Sequence, residues 1–276
     1  MLKDLVVNLS LSESSDPAAD YALSIAEAFE AHIAGTAFAF EPVIFSSGMG
    51  GIASGIIDSA IAENERAAKA ALDRFDSAAK KRGLSVETHR ITALVADAAE
   101  RFGRIARRFD VSVVSQAALE STAAEDLFVQ SALFTSGRPV VVIPYIQKAP
   151  MNLDHIMCCW DGSQPAARAI ADAAPFLQKA KKIDLLIVAT EKVRNDEIPG
   201  ADMAQHLARQ GFNVTLQQIS ATDIDVANAI LSYAADSLVD FLVMGGYGHS
   251  RWRELVLGGA TRDILSSMTI PTLMSH

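Results

Sequence analysis

The feature that most limits the fold of this chain is that it is written twice, with a period of about half its length, the first thing to seek in any sequence. The first copy opens with an apolar run from Asp4 to Ser10, a polar turn from Ser12 to Asp16, and a helix pattern beginning at Pro17. The second opens with His155 to Asp161, a turn of Gly162, Ser163 and Gln164, and a helix pattern beginning at Pro165. Proline is tolerated at a helix start because the N–H it lacks would have no partner there. The later elements repeat too. Helix-periodic segments at 97–106 and 225–234 each precede a short apolar strand, Val111–Val114 and Phe241–Met244. Each copy then closes on a proline and a β-rich run, Pro139–Ile143 and Pro271–Met274.

Strands are expected at 33–40 and 85–92 in the first copy, and at 183–189 and 214–219 in the second. Regular alternation of strand and helix requires crossover connections and a mostly parallel sheet covered on both faces. The strands are short and apolar, as strands buried on both faces should be. The reading is α/β: two tandem, doubly wound, mostly parallel five-stranded sheets flanked by helices. At 276 residues the chain has room for two such units. They are expected at 1–147 and 152–276, closely docked, with the boundary near Gln147–Met151. The first copy carries one large addition, a glycine-rich stretch from Gly48 to Gly55 followed by a long helix pattern to about Lys81. Those glycines either cradle a ligand or form a flexible loop, and the loop is the preferred reading because isolated glycine clusters carry little information.

Chemistry concentrates after the fourth strand of the second copy. Gly245, Gly248 and Gly258 are spaced glycine, two residues, glycine, nine residues, glycine, and Gly259 follows directly. Gly245 stands where the strand ends, at the carboxyl edge of a parallel sheet, where open α/β sheets bind ligands. Gly258 and Gly259 precede a helix pattern from Ala260 to Ser267. A helix start offers free N–H groups and partial positive charge to an anion, and glycines let phosphates come close to the backbone. Two such clusters brought together make a phosphate clamp of backbone amides. The spacing is neither that of a P-loop nor that of a dinucleotide-binding fingerprint. Spacing alone leaves open that the glycines merely serve turns and packing.

On these residues the chain resembles a tandem universal stress protein. The glycine spacing from Gly245 to Gly258 matches that family's nucleotide-binding pattern, and Asp161 ends the first strand where the family places an adenine-contacting aspartate. The resemblance covers essentially all of both halves and implies the adenine nucleotide α-hydrolase-like fold. It further implies that Asp161 contacts the adenine edge and that Ala189 gives it backbone contacts. Gly245 and Gly248 would line the ribose and phosphates. Gly258, Gly259 and Ala260 would offer amides to the phosphates. The ligand implied is ATP, alone or with magnesium. One departure is visible: the family has Ser or Thr where this chain has Gly259, and Thr261 is the candidate replacement hydroxyl. The family also pairs its last strands across a domain interface, which suits Val140–Ile143 and Thr272–Met274.

In the first copy Ser10 stands near the position of Asp161, the strand end at 113–121 has no glycine, and Phe128–Val129 falls about where Gly258–Gly259 should be. This half is expected to bind no nucleotide there and to act as a structural partner. Other residues have plainer readings. His249, Arg251 and Arg253 either meet a phosphate or are simply exposed, and Trp252 suits packing better than base stacking. Asp263 suits a helix start and would slightly oppose a phosphate. Ser163 lacks the elbow of a hydrolase nucleophile. Lys179–Lys182 reads as a solvated helix end. The six histidines show no metal-ligand spacing.

A net charge of −9 argues against a nucleic-acid surface. No segment is long and apolar enough for a membrane span, and the N-terminus lacks a signal-peptide layout. Cys158 and Cys159 are adjacent, so on a strand they point to opposite faces and suit a reducing compartment as small hydrophobes. The expectation is a cytoplasmic stress-response sensor or regulator that binds one adenine nucleotide in its second half. Self-association is open and protein partners are unknown. No general base, nucleophile or metal-binding carboxylate cluster stands out, so slow ATP hydrolysis is the most catalysis expected. The alternative is a ligand-free interaction or scaffold module with a vestigial site, favoured by Gly259. An adenylate-forming enzyme would need a second constellation that the sequence does not offer.

Overall fold

The computed structural model describes residues 1–12, 15–42, 54–117, 124–189, 200–221, 225–247 and 259–276. In the first half, β1 (Asp4–Asn8), α1 (Pro17–Phe29), β2 (His32–Phe40), α2 (Ser54–Lys81) and β3 (Val86–Ala93) are followed by α3 (Val95–Ala106), β4 (Val111–Ser115), α4 (Ala124–Thr135) and β5 (Val140–Ile143). The second half runs β6 (His155–Cys159), α5 (Gln164–Asp172), α6 (Ala174–Leu177), β7 (Lys182–Ala189), α7 (Ala201–Arg209), β8 (Val214–Ser220), α8 (Val226–Asp236), β9 (Phe241–Gly245), α9 (Gly259–Ser267) and β10 (Thr272–Ser275).

The strand order β3-β2-β1-β4-β5-β10-β9-β6-β7-β8 makes one ten-stranded sheet. Each half contributes five parallel strands. The halves meet where β5 pairs antiparallel with β10, Val141 opposite Leu273 and Val140 opposite Met274. The five-stranded units expected from the sequence are thus the two arms of a single sheet, and the last strands pair across the interface as expected. All four residues of β5 are fully buried. The outer strands β3 and β8 alternate exposed and half-buried residues, so their free edges carry polar side chains such as Glu87, His89 and Gln217.

Local signals explain the helix starts. Asp16 caps α1 by accepting the Ala19 N–H at 3.0 Å, and Ser163 caps α5 by accepting the Ala166 N–H at 3.2 Å. Pro17 and Pro165 sit in the first turns that these caps open. One core layer lies under α1, α2, α5 and α7, the other under α3, α4, α8 and α9, and each runs unbroken through the seam. The connection between halves is pinned: Met151 N–H donates to Ser24 Oγ at 2.8 Å, and Leu153 is buried. The basic run at 179–182 differs from expectation. Helix α6 ends at Leu177; Lys179 then lies over the Phe29 ring, Lys181 pairs with Asp154, and Lys182 already belongs to β7. The cations serve a turn into a strand rather than a helix end. Among the described residues no helix is long and apolar enough to cross a membrane.

At the amino edge of the second half, Asp184 is fully buried on β7. Its Oδ2 accepts from Lys182 Nζ at 3.1 Å and Tyr233 Oη at 3.0 Å, and lies 2.9 Å from His155 Nε2. Burial opposes its charge, but the hydrogen bonds from Lys182, His155 and Tyr233 outweigh that and hold the carboxyl below its ordinary value of 3.8. The stabilisation is therefore present above that ordinary value and is lost as pH falls through the lowered one. Asp184→Asn is expected to lower stability by about 2 kcal/mol at neutral pH, with the gap to wild type closing on acidification. Denaturant unfolding across pH measures both, and a gap independent of pH would contradict the assignment.

Candidate functional site

The two arms of the sheet each reverse strand order once, in the second half between β6 and β9, which pair in parallel through Ile156–Phe241 and Cys158–Val243. Crevices at such switch points form outside the carboxyl ends of the strands. Asp161 follows β6, Ala189 ends β7 and Gly245 ends β9, so the topology brings these three to one sheet edge. Asp161 is exposed, and one of its oxygens accepts the Ser163 N–H at 2.9 Å across Gly162, whose φ is +76°. Ala189 is half-buried, and its carbonyl accepts from Ala221 N–H at 3.2 Å. Ser163 acts as the helix cap, in keeping with its lack of a nucleophile's surroundings.

The carboxyl end of β9 is tightly held. A Cβ on Gly245 would stand 2.5 Å from the Ala166 nitrogen and 2.7 Å from the Pro165 carbonyl carbon, so glycine is what lets α5 pack against this strand end. Gly246 N–H donates to Ser275 O at 2.8 Å. Tyr247 then takes a left-handed conformation, φ +59°, uncommon for an aromatic residue. Its N–H donates to Thr261 Oγ1 at 3.1 Å, which ties the strand end to the first turn of α9. Thr261 is buried, and its oxygen accepts this one N–H. Ala260 is half-buried. Gly259 begins α9 and is exposed; among the described residues a Cβ there would meet nothing nearer than Asp263 Oδ2 at 3.8 Å. Gly248 and Gly258, with His249, Arg251, Trp252 and Arg253, lie outside the described residues, as do Gly48, Gly50 and Gly51.

Electrostatics around the crevice are mixed. Burial pushes the Cys159 thiol up to about 12, with the nearby Asp161 charge adding to it. Burial likewise raises the Cys158 thiol, and both cysteines are free. Burial raises the Tyr247 phenol, Asp126 raises it further, and Arg262 offsets part of the effect. Among the described residues no group of His, Cys, Asp or Glu could hold a metal ion.

The corresponding end of the first half is built differently. Asp16 bridges the loop after β1, accepting from Ser10 N–H at 2.7 Å as well as from Ala19 N–H. Gln116 occupies the position of Gly246: its N–H donates to Ile143 O as that of Gly246 does to Ser275 O. Gln116 is buried, and its side chain donates to Leu265 O of α9 at 2.9 Å. Phe128 and Val129 lie within α4, not before it, because α4 begins about a turn earlier than α9 relative to the strand that follows. The Phe128 ring packs against Phe38 and Phe102 in the core. Tyr247, Gly246 and Gln116 do not stand out in the sequence; only the double glycine at 245–246 and the unmatched Gln116 hint at them.

Residues 152–276 match the family model described as the universal stress protein family. This half of the chain belongs to that family. A universal stress protein of Synechocystis sp. is 28% identical over 139 residues, which are 49% of this chain and 46% of that relative, so the match spans about half of the relative's length. A universal stress protein from Archaeoglobus fulgidus covers 98% of this chain and 96% of its own at 17% identity and a TM-score of 0.72, which extends the universal stress protein fold to both halves. A universal stress protein in complex with cAMP aligns with 52% of this chain and 97% of its own at 21% identity, TM-score 0.34.

The packing at Gly245 makes a direct prediction. Gly245→Ala should cost about 2 kcal/mol because backbone atoms of α5 must move. Gly259→Ala, where no described residue comes nearer than 3.8 Å to the added Cβ, should cost little. Equal unfolding midpoints for the two variants would contradict the geometry.

Proposed function

We propose that this universal stress protein binds one adenine nucleotide, ATP, in the crevice between β6 and β9 of its second half. The observation that carries the reading is the tie from Tyr247 N–H to Thr261 Oγ1. It joins the glycine-bearing end of β9 to the first turn of α9 at the switch point, an arrangement that suits a phosphate clamp of backbone amides. Asp161 would take the adenine edge and Ala189 its backbone contacts. Gly245 and Gly248 would border the ribose and phosphates, and the amides of Gly258, Gly259 and Ala260 would receive the phosphates. Magnesium would arrive with the phosphates. The first half, with Gln116 at the strand end, would take no nucleotide there and would serve as structural partner. The function is then that of a cytoplasmic sensor or regulator rather than a catalyst. Self-association would need a surface other than β5 and β10, which are consumed within the chain.

A ligand-free scaffold is the second reading. Gly259 stands where the family has a hydroxyl residue, and the Thr261 oxygen accepts the Tyr247 amide.

The test is to purify the protein without added ligand, denature it, identify any released nucleotide, and measure ATP binding. Wild type should bind, and Gly248→Val and Gly258→Val should weaken binding by about tenfold or more, since Cβ branches keep phosphates from the backbone. Gly259→Ser, which supplies the hydroxyl the family carries there, should tighten it. A wild-type chain with neither released nucleotide nor measurable ATP binding favours the scaffold. Binding that survives both valine substitutions places the site elsewhere.

A further inference from the structure

The two halves touch at their strand ends in a pseudo-symmetric but unequal way. On the first half's side, Gln116 reaches into α9 and donates to Leu265 O at 2.9 Å. On the second half's side, the matching position is Gly246, and the matching helix is α4. Without a side chain at Gly246, Leu133 of α4 moves in: a Cβ on Gly246 would lie 2.7 Å from Leu133 Cδ2. The next residue, Phe134, places its ring 4.9 Å from the Tyr247 ring and 4.9 Å from the His276 ring. His276 Nδ1 in turn lies 3.1 Å from Gly246 O. Asp126 of α4 acts on the Tyr247 phenol from the same side, opposed by Arg262 of α9.

Tyr247 therefore sits between a helix of each half while its backbone is held at φ +59°. A non-glycine residue in that conformation carries a strain that its surroundings must hold. Two holds are visible. The Thr261 oxygen holds the N–H from within the second half, and Phe134 holds the ring from the first. Phe134 is itself 47% exposed, so packing of the core does not require a phenylalanine there.

We infer that Phe134, seated by Leu133, is a positioning residue for the Gly245–Tyr247 turn, and that the first half thereby sets the geometry of the nucleotide site in the second. This rests on the nucleotide-binding reading given above for its functional part. The half without a site of its own thus supplies one wall of the turn in the half that has one. The same contact makes the two halves communicate, because any ligand that favours the present turn must favour the Phe134–Tyr247 contact by the same factor.

The test uses the full chain with Phe134→Ala, and Phe134→Tyr as the conservative variant. Two readouts are needed: ATP affinity, and hydrogen exchange of the Gly246 and Tyr247 amides, which donate to Ser275 O and Thr261 Oγ1. Phe134→Ala should weaken ATP binding about threefold to tenfold, the range that loss of an aromatic pair implies. It should speed exchange at 246–247 more than at β9 residues, and Phe134→Tyr should restore both. Exchange at 246–247 that is unchanged by Phe134→Ala, or that rises only in step with the whole sheet, overturns the positioning role. Faster local exchange with unchanged ATP affinity overturns the link to the site. If wild type binds no ATP, the functional reading above fails with the link to the site, and exchange alone then decides whether Phe134 holds the turn.

Discussion

The antiparallel pairing of Val140–Ile143 with Thr272–Ser275 is the constraint from which the rest of the molecule follows. Each half alone would end in a bare edge strand, wholly apolar in β5 and buried throughout in β10, a template for unwanted pairing. Joining the two edges removes both and lets each core layer continue from one half into the other. Burying each valine of β5 is worth about 2 kcal/mol, so the seam is a substantial part of the stability rather than a loose docking of domains. It also fixes which surfaces face each other: the strand ends after β4 and β9, and the helices α4 and α9 that follow them.

From that enforced meeting comes the asymmetry of the two halves. At matching positions one half carries Gln116 and the other Gly246. Gln116 fills its own strand end and reaches across to α9. Gly246 leaves room that α4 fills with Leu133 and Phe134. The duplication has therefore diverged into two roles. One half carries a buried side chain at its strand end and sets a helix against its neighbour; the other keeps a narrow backbone turn, left-handed at Tyr247, beside the first turn of α9. A glycine's purpose in such a site varies with its surroundings. Gly245 is required by the backbone of α5, whereas among the described residues nothing comes nearer than 3.8 Å to a Cβ at Gly259.

Much of this was legible from local patterns. Apolar runs of four to nine residues bounded by turn residues placed the strands to within a residue or two, because buried parallel strands leave little else to choose. Pro17 with Asp16, and Pro165 with Ser163, announced helix starts through capping chemistry alone. Placement failed where a partner distant in sequence decides. The lysines at 179–182 look like a helix end, but Lys181 answers to Asp154 and Lys182 to Asp184. Phe128 looks like an obstruction at a helix start, but Phe38 and Phe102 draw it into the core.

By itself the sequence determined the duplication, the α/β class, the carboxyl edge on which Asp161, Ala189 and Gly245 meet, and the half that carries the glycine pattern. These depend on hydrophobic periodicity, caps and the topology that parallel strands impose, all of which are properties of short segments. Only the tertiary structure decided that the two sheets are one, that the Thr261 oxygen binds the Tyr247 amide, and that Phe134 stands against Tyr247. Those contacts join residues from 14 to 134 positions apart. No local pattern encodes them; the packing of β9 against α9 makes one, and the seam that brings the halves face to face makes the others.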